Sequence, residues 1–382
     1  MNSVMIVAAE ASSALFAQRL LEHWKAEGED VQAFGVGTQD MEKLGFERLG
    51  KSEEMAVIGI TEIVSKYSFL KSVFDKLVAE AALRKPKVAI VMDYPEFNLM
   101  LSKKLHAMGI PVVYYVSPQV WAWRKGRVET IKKYCQNVFL LFPFEVDFYK
   151  ERNVPHEFIG HPLLDEVSLE LEDPKWRLLR RQQCGFQDDD LVVGLMPGSR
   201  RQELKNVFPI QLEAAKLLCR KHPKVKILIL TAPTIERDHL LPYLEDVRIP
   251  YVVMKDDPAK MIAITDYVMA TSGTATLFVG LLKKPMIIMY KVTWLTAVIG
   301  RLIVPGFFGL PNLILGRAVV PELFQWDCTP ERAFQEMDRY LSDPDYDRKT
   351  RDSLGEVLTR LGNRGATKRV AAALKKYLDP VK

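Results

Sequence analysis

Short apolar runs recur along the chain, separated by amphipathic segments. VMIVAA (4–9), VQAFGV (31–36), KVAIVM (87–92), PVVYYV (111–116) and NVFLLF (137–142) are rich in Val and Ile and apolar at consecutive positions. Consecutive apolar residues are expected of strands buried on both faces, as in a parallel sheet. Between them, stretches such as SALFAQRLLEHWKAEG (13–28) keep their apolar residues at helical spacing, and Gly28 is a natural stop. A second series begins after residue 190 with LVVGLM, VKILIL, YVVM, YVMA and PMIIMY, again separated by helical segments. Such alternation predicts an α/β fold with parallel sheets, built twice. The join falls near GHPLLDEVSLELEDPKW (160–176), where Gly, Pro and acidic residues interrupt the periodicity. From Thr329 onward the pattern is helical only, so this tail must pack on a domain already formed and can return to the first one. The expected division is residues 1–165, residues 175–328 and a helical tail at 329–382.

Composition narrows the field. At 382 residues the chain exceeds one ordinary core, and 48% hydrophobic with 26% charged residues is globular, not disordered. A net charge of +5 suits anionic small molecules or an anionic membrane surface and is too weak to argue for nucleic acid. Cys135, Cys184, Cys219 and Cys328 form no C-x-x-C pair, so neither a zinc site nor a disulfide framework is suggested. VMIVAA opens the chain with no basic segment or cleavage pattern, which predicts a cytoplasmic protein. Lys291, Arg301, Pro305, Gly306 and Pro311 interrupt the apolar stretch 286–316, so it reads as core, or as a segment dipping into a membrane surface.

In open parallel sheets, ligands sit beyond the carboxyl ends of the strands, so the residues that follow each strand carry the chemistry. Glu10 and Ser12 follow the first strand, with Ser12 a candidate helix cap. DYPEFN follows KVAIVM and places Asp93 at a strand tip, with Glu96 and Asn98 beyond. Asp93 reads either as a general base or as a cap of the turn before Pro95. After PVVYYV, Trp121 and Trp123 stand beside Arg124, Lys125 and Arg127; this suits a sugar-stacking or lipid-facing surface with cations for phosphate, or core beside a solvated helix face. PGSRRQEL follows LVVGLM, with Gly198 and Ser199 freeing the backbone and Arg200 able to fork onto a phosphate. ATSGTATLF (270–278) forms a second strand-to-helix turn, through Ser272, Gly273 and Thr274. Either turn alone could be a plain capped turn; two in one domain point to anion binding at helix N-termini. GVGT (35–38) offers only two dinucleotide glycines, and DDD (188–190) lies at a strand entry and reads as a solvated turn.

These stretches, with MAVIGITEIV (55–64), YVSPQVWAWR (115–124), FPFE (142–145), IGHPLLD (159–165) and LPNLILGR…VPELFQ (310–325), resemble the lipid-A-disaccharide synthase family over essentially the whole chain. The resemblance implies a GT-B type glycosyltransferase, with two Rossmann-like parallel-sheet domains facing a central cleft. It implies inverting transfer of diacylglucosamine from UDP to the 6-hydroxyl of 2,3-diacylglucosamine 1-phosphate. The product is the β(1→6) disaccharide of lipid A, made at the cytoplasmic face of the inner membrane. Asp93 is then the base, and Ser199, Arg200, Ser272, Gly273, Thr274, Asn312, Glu322 and Gln325 belong to the nucleotide and diphosphate side. Glu10, Ser12, Glu96, Asn98, Trp123 and Arg124 belong to the acceptor side. No metal or cofactor is implied, and a homodimer is allowed.

The sequence departs from the family pattern in three places. Ala9-Glu10-Ala11-Ser12-Ser13-Ala14 stands for Gly-Glu-(Ala/Thr)-Ser-Gly-Asp, GVGTQ replaces a Gly-Gly-Pro-like turn, and Phe278 stands where a Glu normally meets the ribose hydroxyls. Two other readings follow from these departures: a GT-B enzyme with a different nucleotide sugar or acceptor, or a catalytically weak paralogue that binds lipid precursors. A membrane-facing stripe is also expected over 57–77, where Ile58, Ile63, Tyr67, Leu70, Phe74 and Leu77 share helical spacing beside Lys66, Lys71 and Lys76. The same spacing suits domain core.

Overall fold

The structure, a computed structural model, describes residues 2–55, 63–118, 120, 126–291 and 306–379. Its chain divides into two compact units, residues 1–162 with 363–382 and residues 163–362. In the first, β1 (Asn2–Ala8), β2 (Val31–Gly37), β3 (Glu47–Lys51), β4 (Val88–Met92), β5 (Val112–Tyr115), β6 (Asn137–Leu140) and β7 (His156–Phe158) form one sheet in the order β3-β2-β1-β4-β5-β6-β7. Every pairing is parallel. In the second unit, β8 (Leu191–Met196), β9 (Val225–Leu230), β10 (Tyr251–Met254), β11 (Tyr267–Thr271), β12 (Met286–Tyr290) and β13 (Glu322–Phe324) form a second parallel sheet in the order β10-β9-β8-β11-β12-β13.

The central strands match the apolar runs because both of their faces are covered; all five residues of β4 are buried. Strand order reverses between β1 and β4 in one unit and between β8 and β11 in the other. These are the switch points at which connections leave to opposite faces and a crevice opens beyond the strand tips.

GVGT has a packing explanation. Gly35 has a φ of 140°, and a Cβ there would collide with the carbonyl of Ile6 on β1, so glycine is required here, where the β2–β3 register shifts between Gly35 and Val36. The first helix runs from Ala11 to Ala26, two residues earlier than its apolar pattern suggested. Ser12 therefore lies in the first turn and is not the cap. Glu10 occupies that position in extended conformation, and the Ser13 hydroxyl accepts from its N–H at 3.2 Å while donating to its carbonyl at 2.9 Å.

The helical tail divides. Helices Pro330–Ser342 and Pro344–Leu361 belong to the second unit, while Ala366–Leu378 lies on helix Ala11–Ala26 of the first. Its attachment is specific: Arg369 donates to the carbonyls of Ile159, Asn363 and Arg364, and Lys87 Nζ donates to Leu378 O. In the stripe at 57–77, Leu77 is fully buried and Leu70 and Phe74 pack against the core of the first unit, so these three are core residues. Tyr67 is 63% exposed, whereas Ile58 and the side chains of Ile63 and Lys66 lie outside the described residues. Among the described residues no helix is long and apolar enough to cross a membrane.

Candidate active site

In the first unit the tips of β1 and β4 bring Glu10 and Asp93 to one switch point, because Ala8 pairs with Met92 just before them. Asp93 does not cap the turn. Helix Pro95–Ala107 begins with Tyr94 in the cap position, and the Asp93 carboxylate makes no hydrogen bond among the described residues. Burial, and then the neighbouring charge of Glu10, push its carboxyl up from 3.8 to about 7. A carboxylate so poised and uncommitted can accept a proton near neutral pH.

The backbone beneath it is unusual. Asp93 and Tyr94 have φ of 48° and 46°, and Val116, at the tip of neighbouring β5, has φ of 61°. Such left-handed residues typically cost on the order of 1–3 kcal/mol each and persist only where surroundings hold them. Asn98 is fully buried; its Nδ2 donates to the carbonyls of Met92 (2.9 Å) and Asp93 (2.7 Å), so it braces the turn. Glu96 is paired with Arg127 on the surface. Trp123 and Arg124, with Trp121 and Lys125, lie outside the described residues. His161, of IGHPLLD, packs edge-on against Phe16, and burial lowers its pKa to about 3, so it stays neutral.

In the second unit the two phosphate-suited turns leave the tips of β8 and β11, which are hydrogen-bonded neighbours with Met196 beside Ala270. Strand spacing therefore puts them roughly 5 Å apart at their roots. Their amides differ. After β8, Ser199 and Arg200 donate their N–H groups to Glu203 Oε2 at 2.8 and 3.2 Å, so the amides expected to meet a phosphate are closed by the helix's own carboxylate. Gly198, at φ of 110°, allows this approach, since a Cβ there would sit 2.6 Å from Glu203. Arg200 keeps its guanidinium largely exposed, 3.7 Å from the same carboxylate.

The turn after β11 is open. Thr274 occupies the cap position of helix Ala275–Leu281 without a side-chain cap bond, and Gly273, Thr274 and Ala275 use their N–H groups in no hydrogen bond among the described residues. Gly273 and Thr274 are exposed, and a Cβ built on Gly273 meets nothing within 4 Å, so an anion has room to approach. Gln211, which the sequence did not single out, ties the two tips together; its buried Nε2 donates to Met196 O (3.1 Å) and Met269 O (3.0 Å).

Asn312 is otherwise engaged than as a direct ligand. Its Nδ2 donates to Val320 O and Glu322 Oε1, and its Oδ1 accepts from Val319 N and Val320 N, so all four of its hydrogen-bonding positions are filled. Glu322 also accepts from Phe308 N and Gly309 N. Together they shape the loop that precedes Gln325, a left-handed residue (φ 54°) at the tip of β13.

A family model described as lipid-A-disaccharide synthetase matches residues 4–376. The chain belongs to this family. A lipid-A-disaccharide synthase from Myxococcus xanthus is 36% identical over 378 residues, covering 99% of this chain and 98% of the relative. One from Geobacter metallireducens is 37% identical over 376 residues, covering 98% and 97%. Among solved structures, the calicheamicin glycosyltransferase CalG4 aligns with a TM-score of 0.62 at 10% identity, covering 100% of this chain and 99% of that one. At that identity the likeness concerns the fold, which is GT-B. Phe278, where the sequence reading expects the family's Glu, has its ring buried in helix Ala275–Leu281, where it serves as core.

Proposed function

We propose that this chain makes the lipid A disaccharide. It transfers the diacylglucosaminyl group of UDP-2,3-diacylglucosamine to the 6-hydroxyl of 2,3-diacylglucosamine 1-phosphate. The match to the family across residues 4–376 carries this reading. Asp93 takes the proton of the 6-hydroxyl as its oxygen bonds to the sugar C1 and the C1–O bond to UDP breaks, inverting that carbon. The charge left on UDP is met by the Arg200 guanidinium, by the open N–H groups of Gly273, Thr274 and Ala275 and by the Ser199 and Ser272 hydroxyls, the amides being fixed before the reaction starts. Asn312 and Glu322 hold the loop leading to Gln325 on the nucleotide side. Glu10, Ser12, Glu96, Trp123 and Arg124 are assigned to the acceptor side by the family resemblance, and Asn98 braces the turn that carries Asp93. The enzyme works as a peripheral protein at the cytoplasmic face of the inner membrane, with a homodimer as its candidate assembly.

The test is an assay of purified protein with both lipid substrates. Disaccharide and UDP should appear in equal amounts, and added EDTA should leave the rate untouched. Asp93→Asn should lower kcat by roughly 10²–10⁴-fold with donor binding retained. Turnover of other UDP-sugars in preference to the diacylated donor would replace this reading. Near-wild-type turnover by Asp93→Asn would remove Asp93 from it.

A further inference from the structure

Seven non-glycine residues among those described have positive φ. Lys85, Asn153 and Lys283 each follow a helix end, where a left-handed residue is common. The other four, Asp93, Tyr94, Val116 and Gln325, stand just past strand tips, and three of them meet between β4 and β5. Conformations of this kind are held from outside, and here the holders can be named. The Asp93 N–H donates to Val116 O at 3.1 Å. Its carbonyl accepts two bonds, from Asn98 Nδ2 at 2.7 Å and from the Tyr114 hydroxyl at 2.7 Å. Tyr114 is a fully buried residue of β5, with its ring in the core of the first unit. Its hydroxyl thus reaches across to the next strand and ends on the peptide that fixes where the Asp93 side chain departs.

We propose that Tyr114 is a positioning residue for the transfer: with Asn98 it grips the Asp93 carbonyl and holds the left-handed turn that aims the Asp93 carboxylate at the acceptor hydroxyl. This rests on the assignment of Asp93 as base. Two donors on the carbonyl that follows the Asp93 Cα, with an acceptor on the N–H that precedes it, hold both flanking peptides and leave the Asp93 φ and ψ little freedom. Without the hydroxyl, the turn can relax toward an ordinary conformation and swing the carboxylate away. A misplacement of about 1 Å in a reacting group is enough to cost roughly 10²-fold in rate.

Tyr114→Phe removes one oxygen and leaves the ring in place. The variant should stay folded by circular dichroism, keep KM for both substrates within about threefold, and lose roughly 10–100-fold in kcat. The acid limb of its kcat–pH profile should move to lower pH, because a carboxylate released from its buried position returns toward ordinary acidity. In an Asp93→Asn background the same substitution should cost nothing further. Unchanged kcat and profile in folded Tyr114→Phe overturn the proposal, as does a loss that appears only in KM or thermal stability. Should Tyr114→Phe not fold, Asn98→Ser, too short to reach both carbonyls, takes its place with the same expected signature, and an unmoved profile there overturns the proposal equally. If Asp93→Asn is itself active, the assignment of the base has failed; if it is inactive and Tyr114→Phe is normal, only the positioning role has.

Discussion

A carboxyl group raised to about 7 in the folded protein from 3.8 outside it binds more protons folded than unfolded between those two pH values. Its contribution to stability therefore falls as pH rises from about 4 to 7, and above 7 the folded chain carries a half-buried charge with no hydrogen bond among the described residues. Catalysis by Asp93 as the proposed base runs the other way, since it can take a proton only once its own has left. Turnover should rise through pH 7 along the same titration that lowers stability. Asp93→Asn separates the two effects: it should be nearly inactive yet more stable than the wild type at pH 8, by about 1–3 kcal/mol after allowing for solvent access to this half-buried site. The gap should narrow toward pH 4 and close below it, where the wild-type carboxyl becomes protonated in both states. Chemical denaturation of both proteins across this range checks it, and equal stability at pH 8 would mean that Asp93 is solvated and ordinary.

Where local sequence decides an element, the sequence suffices. The central strands of both sheets are legible because burial on both faces leaves consecutive Val, Ile and Leu, and the long helices because one face is apolar. The strands that escape this reading are β3 (ERLGK), β7 (HEF) and β13 (ELF), each at a sheet edge. They are too short to show a period, and an edge strand facing water carries charge. The site divides similarly. Asp93, Glu10 and both phosphate-suited turns are legible because strand ends are visible and switch points follow from strand order. The closure of Ser199 and Arg200 by Glu203 is not, since a capping box is ordinarily announced by Ser or Thr, and Arg200 holds that position here. Asn312 looks like a ligand in the sequence because the partners that consume its amide belong to a loop whose shape only the fold sets. Glu203→Ala leaves two N–H groups at the start of helix Arg201–Lys221 without their acceptor, and should cost about 1 kcal/mol, read as a lower denaturation midpoint with an unchanged slope. An unchanged midpoint would mean that water serves these amides equally well.

The first unit closes only when residues 363–379 return to it, so its core is completed by the end of the chain, after the whole second unit has been made. What remains on its surface bears on the membrane. Of the stripe at 57–77, the core takes Leu70, Phe74 and Leu77; among the described side chains Tyr67 stays exposed, Lys71 is paired with Asp75, and Lys76 faces solvent. With Tyr67 the exposed apolar residue of the stripe among the described side chains, the proposed attachment through this helix is expected to be mainly electrostatic, in keeping with the net charge of +5. Flotation with vesicles should then require anionic lipid and fall as salt rises from 0.1 to about 1 M, where the screening length drops from roughly 10 Å to 3 Å. Lysines near an anionic surface are worth about 1 kcal/mol each, so Lys66→Glu with Lys76→Glu should weaken binding by at least roughly 20-fold. Lys71 is left intact, because a Glu there would face Asp75 one turn away and destabilise the helix itself. Tyr67→Ser should weaken binding further without loss of fold, whereas Leu77→Ser should unfold the unit. Binding that ignores salt and both lysines would place the membrane contact on another surface, and an absence of binding would leave an enzyme that draws its lipid substrates out of the bilayer.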